Sequence, residues 1–181
     1  TLTENRMRVE SFFSEASTEV QSLLPEAIAA NTTAFVNAHD QQHPEVMGNP
    51  TEGALLLWIR GQAYEYLTLR DSAPIIRQLP FSTERKYMAT LVQSAMLEGK
   101  AVLYVKGAPE ILLSLCNLPP EVRTRYEAQL HQYQSRAMRT LALAYRIVES
   151  PTEQEKPLDE LIQEGLQLQG IFGIMDPVRS E

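Results

Sequence analysis

Lys106 and Gly107 close the apolar stretch "AVLYVKG" (101–107), and Ala108-Pro109 follows as though opening a helix. A cation and a bare backbone at one corner suit a ligand-facing site that a flat group can approach. The same residues also make a plain strand-to-helix turn. The stretch "LPFSTERKYM" (79–88) offers a second set, with Phe81 followed by Arg85 and Lys86. An aromatic face worth about 1–3 kcal/mol per stacked base, with cations beyond it, would suit a purine nucleotide. Taken alone, that set reads better as a strand edge with solvated charges and a core phenylalanine.

Other candidates carry less. "GNPTEGAL" (48–55) has two glycines at P-loop spacing, but Ala54 and Leu55 stand where Lys and Ser/Thr must be. A turn followed by a capped helix accounts for Gly48, Pro50 and Thr51. "GIFG" (170–173) is not a dinucleotide fingerprint, because the third glycine and the following helix are missing. His39 and His43 lie four apart around Asp40, yet within a polar, proline-ended loop with no further ligand cluster nearby. His131 has no visible partner. Cys116 ends an apolar helix and reads as packing.

The elements that must position these groups follow from periodicity. Residues 5–13 read as extended. Val20, Leu23, Leu24, Ala27 and Ile28 have helical spacing within 18–35, with Pro25 marking a kink or a second start. A polar loop covers 37–50, and Thr51 is expected to cap a buried helix over 52–60. Strands are expected at 73–82, 86–94 and 101–107, the last two joined by a turn around "LEGK" and therefore antiparallel. Helices follow at 109–116 and about 120–137. Strands at 139–148 and 166–176 flank a proline-bearing polar stretch and a short helix. The order predicts an α+β fold, an antiparallel sheet flanked by helices, in one domain spanning 1–181.

Composition narrows the function classes. With 181 residues, 44% hydrophobic and 22% charged, the chain suits a single packed core rather than a disordered segment. Its 23 acidic against 16 basic residues give a formal charge of −7, which disfavours general contact with nucleic acid or an anionic membrane. One cysteine excludes an intrachain disulfide and fits a reducing compartment. The apolar run "ALLLWI" is far shorter than the roughly 20 residues of a membrane span, and from the polar start of the sequence no signal peptide is expected.

Several of these signals also occur in one familiar order. "TLTENRMRV" (1–9), "NPTEGALL", "PFSTERKYM", "YVKGAPE", "MRTLALAYR" and "MDPVRSE" (175–181) together resemble the nucleotide-binding (N) domain of P-type cation-transporting ATPases over essentially the whole chain. "KGAPE" is the most specific of them. The resemblance implies an ATP pocket in which Lys106 and Gly107 are ligand contacts, Phe81 stacks on adenine and Glu52 accepts from its amino group. Lys86 and Arg139 would meet the phosphate side, and Thr51 and Met88 would be secondary contacts. The absence of a Cβ at Gly107 would let adenine approach the backbone.

The resemblance further implies hinges near 1–8 and 174–181 leading to a phosphorylation domain, whose aspartate would precede Thr1 by four positions. ATP would be used as Mg-ATP, with the metal held by that domain and by the phosphates. No catalytic or metal-binding residue is expected in this chain, which would bind ATP without turning it over. ATP and ADP, together with the phosphorylation and actuator domains, would be its partners. It would be a cytoplasmic part of an integral membrane protein, touching the membrane only through a transmembrane domain outside this chain. Thr83 stands where some calcium pumps have an arginine, which resembles the plasma-membrane-type calcium pumps, and "DPVR" (176–179) points to the same branch. Two other readings remain. One is an acidic protein-interaction module with the same fold; the other is an independent kinase or ATPase, which would lack a P-loop.

Overall fold

A computed structural model describes residues 6–37 and 42–177. His39 and Asp40, and most of the expected hinges (1–5 and 178–181), lie outside the described residues. The chain begins with β1 (Arg8–Phe13), then α1 (Thr18–Gln21) and α2 (Leu24–Ala30). Next come two short strands, β2 (Phe35–Asn37) and β3 (Glu45–Met47), and two helices, α3 (Pro50–Arg60) and α4 (Tyr66–Ser72). The centre is β4 (Ile75–Leu79), β5 (Tyr87–Gln93) and β6 (Ala101–Gly107), followed by α5 (Pro109–Leu115) and α6 (Pro120–Ser135). Strand β7 (Arg139–Ile147), single turns α7 (Pro151–Gln154) and α8 (Leu158–Leu161), and β8 (Gln167–Met175) complete it.

Six strands form one antiparallel sheet in the order β1-β8-β7-β6-β5-β4. The α+β expectation is met. The central strands read as continuous apolar runs because both faces are covered, and alternation then sorts their side chains. Leu103 and Val105 pack with Leu112, Tyr126 and Tyr133 from α5 and α6. Val102 and Tyr104 pack on the other face with Ile28, Leu55 and Ile59 from α2 and α3. Lys106 continues the Val102–Tyr104 side, so the strand's period delivers its ammonium toward α2 and α3.

A buried carboxylate fastens α2 to this sheet. Glu26 accepts from Ser94 Oγ at 2.5 Å, Tyr104 Oη at 2.7 Å and the Met96 N–H at 3.1 Å. Proton loss from Tyr104 is strongly opposed, by burial first and then by the neighbouring Glu26 charge, so the phenol stays a donor. The β5–β6 turn beneath it places Glu98 and Gly99 both at positive φ, 56° and 84°, closing a tight connection.

Of the two expectations for Pro25, the second start holds: it opens α2 as the second residue, where its missing N–H is harmless. Other local expectations change. That helix ends at Ala30 instead of running to 35, and Phe35–Asn37, at the junction of the expected helix and loop, pairs with Glu45–Met47 inside what read as loop. Strands three residues long are too short to show a period. Asn49, not Thr51, caps α3: its Oδ1 accepts from the N–H groups of Thr51 at 2.9 Å and Glu52 at 3.1 Å. Finally, α4 stands where no element was expected; none of its residues is buried, and Tyr66 and Leu69 pack part-buried against the core.

Candidate functional site

One cavity of about 540 Å³ opens where the last residues of β6, the first residues of β5 and the N-terminus of α3 meet. Seven of the eight residues named from sequence line it: Thr51, Glu52, Phe81, Lys86, Met88, Lys106 and Gly107. The walls also include Thr33, Asn49, Thr83, Ala108, Thr140 and Leu141. Of these, Asn49 was missed because the cap was expected at Thr51, although an Asn directly before Pro50 at the helix start could have marked it. Thr33 left no signal, because it reaches the cavity from a loop that no motif marks.

The floor is an ion pair. Lys106 Nζ lies 2.7 Å from Glu52 Oε1, with the two side chains only 6% and 11% exposed. The ammonium also donates to the Asn31 carbonyl at 2.6 Å. Glu52 Oε2 accepts from the Thr33 N–H at 2.9 Å, the Thr33 hydroxyl at 2.7 Å and the Thr32 hydroxyl at 3.3 Å. Burial alone would raise the Glu52 pKa, but the adjacent Lys106 charge and the hydrogen bonds from Lys106 and Thr33 bring it below its ordinary value. Burial pushes the Lys106 pKa down, and Glu52 partly restores it. Lys106 therefore lines the cavity with two of its three N–H donors already engaged inside the protein.

The rim is more open. Phe81 is 57% exposed and projects from the loop between β4 and β5. That loop is tied to itself: the Lys86 N–H reaches Ser82 O at 2.7 Å and the Arg85 N–H reaches Ser82 Oγ at 3.0 Å. Closing the turn holds Lys86 at φ 63°, a left-handed conformation unusual for a lysine. Its side chain stays exposed beside the aromatic ring's loop, and its carbonyl accepts from the Ala108 N–H at 3.0 Å. Met88, paired in register with Lys106, is 2% exposed and contributes an apolar patch.

Two expectations need a different physical account. A Cβ on Gly107 would lie 2.4 Å from Lys86 O, 2.7 Å from Tyr87 Cβ and 2.8 Å from Tyr87 Cα. The gap at Gly107 is thus filled by the neighbouring strand, and glycine is required there by strand approach rather than by room for a ligand. Arg139 is not among the lining residues. It opens β7, next to Thr140, and its Nε lies 3.0 Å from Asp176 Oδ1 with both side chains more than half exposed. An exposed pair of this kind is worth at most about 1 kcal/mol. Arg139→Ala is expected to move the melting temperature by no more than about 4 °C, checked by thermal circular dichroism.

Other chemistry finds little support. Among the described residues no group of three His, Cys, Asp or Glu side chains could hold a metal ion. Burial pushes the Cys116 thiol up to about 12, which keeps it protonated and a poor nucleophile at neutral pH.

With an apolar-rimmed cavity floored by an ion pair at the corner of an antiparallel sheet, the relationship is decided by sequence comparison. Residues 19–181 match the family described as "P-type ATPase, cytoplasmic domain N". The chain belongs to that family. It is also similar to a calcium-transporting ATPase 1 of Lactococcus lactis, at 31% identity over 194 residues covering 99% of this chain and 21% of that protein. A plasma-membrane-type calcium-transporting ATPase 4 of Arabidopsis thaliana is 33% identical over 181 residues, 94% of this chain and 17% of its own length. A probable cation-transporting P-type ATPase of Mycoplasma genitalium is 31% identical over 182 residues, 100% of this chain and 19% of its own. This domain N thus spans about a fifth of the length of the relatives it matches. None of its described helices is long and apolar enough to cross a membrane.

Proposed function

We propose that this domain N binds ATP in the Phe81–Lys106 cavity and positions it for phosphoryl transfer to an aspartate in a neighbouring phosphorylation domain. The observation that carries the reading is the conjunction, in one 540 Å³ space, of an exposed ring and a buried carboxylate–ammonium pair. The ring of Phe81 would stack on adenine, and Glu52 would accept from its amino group. Lys86 at the rim would face the phosphates, whose charge Arg139 would meet as the two domains close. Thr51 and Met88 would complete the walls.

Phosphoryl transfer of this kind depends on positioning and charge stabilisation, so a domain that supplied no base would still be essential to it. Magnesium would travel with the phosphates. The residues at both ends of the chain would act as the hinge, making 1–181 one ATP-binding unit of a cytoplasmic assembly. Calcium as the transported ion is supported by the names of the relatives, by Thr83 and by "DPVR" at 176–179.

A two-dimensional amide NMR titration with ATP, ADP and GTP tests the reading. Saturable shifts near 51–53, 81–88 and 104–108, weaker with GTP, are expected, with a dissociation constant near ~1 mM. Phe81→Ala should weaken ATP by about 5- to 150-fold, the equivalent of one lost base stack. A folded sample unmoved by millimolar ATP would remove the nucleotide site and leave a protein-interaction module as the better reading.

A further inference from the structure

Thr33 reaches the cavity from the turn after α2, and its two donors converge on one atom. Both its N–H and its hydroxyl bond Glu52 Oε2, at 2.9 and 2.7 Å, and the Thr32 hydroxyl adds a longer contact at 3.3 Å. A carboxylate oxygen offers two good acceptor sites, so Oε2 is saturated. Among the described residues Oε1 receives only Lys106 Nζ, and it keeps one acceptor site on a residue that lines the cavity.

The turn that carries Thr33 is itself held from outside the cavity. Arg70 of α4 spans it, donating through Nε to Ala29 O at 2.9 Å and through Nη2 to Ala34 O at 3.1 Å. Tyr66 of the same helix accepts from the Val36 N–H at 3.0 Å. Gly48 packs against the turn, where a Cβ would lie 3.3 Å from Ala34 Cα and 3.4 Å from Thr33 O. A residue with two strong bonds to one carboxylate oxygen, on a turn clamped at both ends, sets the rotation of that carboxylate.

We infer that Thr33 is a positioning residue for base selection: by holding Oε2 of Glu52 it presents Oε1 to the amino group of a 6-aminopurine. This inference rests on the nucleotide-binding reading above. Thr33 does not touch the reacting phosphate, and its effect should appear only for ligands that carry the amino group.

The test compares ATP with purine riboside 5′-triphosphate, which keeps the ring and phosphates but lacks the 6-amino group. Both are titrated against the wild-type chain, Thr33→Val and Thr33→Ser. The wild type should prefer ATP. Thr33→Val should lose about 5- to 10-fold on ATP and less than about 2-fold on the analogue, the scale of one hydrogen bond. Thr33→Ser, which retains the hydroxyl, should restore the preference. Equal weakening of both ligands by Thr33→Val would overturn the inference, because a merely structural turn would affect both alike. Equal affinity of the wild type for both ligands would also overturn it, with no variant needed, while leaving nucleotide binding intact. Wild-type binding of neither would sink the nucleotide reading and this inference together.

Discussion

Lys106→Met is expected to lower the melting temperature by about 6–20 °C, the largest effect of any single change at the cavity. Its side chain is 6% exposed and neutralises Glu52, itself 11% exposed, across 2.7 Å. Removing one partner of a buried pair leaves the other charge without compensation and costs about 3–5 kcal/mol. For a chain of this size each kilocalorie corresponds to about 2–4 °C. Replacing both partners together, Lys106→Met with Glu52→Gln, should recover much of the loss, because no charge then remains in the floor. Thermal unfolding of the two variants reads this directly, and an unchanged melting temperature in the single variant would show the pair to be structurally idle.

The same pair predicts a pH dependence. The folded-state pKa of Glu52 lies below its ordinary 4.5, so its stabilising contribution is complete above that value and is lost as pH falls through the lower folded pKa. In Lys106→Met, burial is opposed by the Thr33 hydrogen bonds without the lysine charge. The loss of stability below pH 4.5 should therefore flatten. Urea unfolding at several pH values between 3 and 6 would show the change in slope.

Gly107→Ala is expected to destabilise the chain by about 1–3 kcal/mol, or roughly 2–12 °C. The added methyl would meet Lys86 O at 2.4 Å and Tyr87 Cα at 2.8 Å, backbone atoms that cannot swing aside as a flexible side chain would. Gly107 pairs with Tyr87 in the β5–β6 ladder, so relief requires the strands to part at the cavity mouth. Amide shifts should concentrate at residues 86–87 and 107–108 before any nucleotide is added. An unchanged melting temperature combined with lost nucleotide binding would instead place the methyl in the cavity, as the sequence reading supposed.

That contrast shows where reasoning from the chain alone held and where it stopped. The apolar runs of β5 and β6 and the short turn between them specify adjacent antiparallel strands, because seven residues cannot carry a crossover. Pro109 and Pro120 mark helix starts through a purely local constraint, the missing N–H. Phe81 and Lys86 were visible as a ring and a cation in one short stretch, but alone they read better as a strand edge with a core phenylalanine; that the ring is 57% exposed at the cavity is a product of the folded loop. The gap at Gly107 was also legible, but not its cause, because what fills it comes from a strand twenty residues away in sequence.

Composition, period and short motifs thus determine this protein's α+β class, most of its strand and helix order, and the residue types that gather at one corner. Which way those residues face was settled only on folding. Lys106 turns inward because the period of β6 aims it at the α2–α3 face, where Glu52 and the Asn31 carbonyl offset the cost of burying a charge. Thr33 joins the site because Arg70, from a helix with no buried residue, clamps its turn against the sheet-facing layer. Partners distant in the chain supply both forces, and no local pattern encodes them.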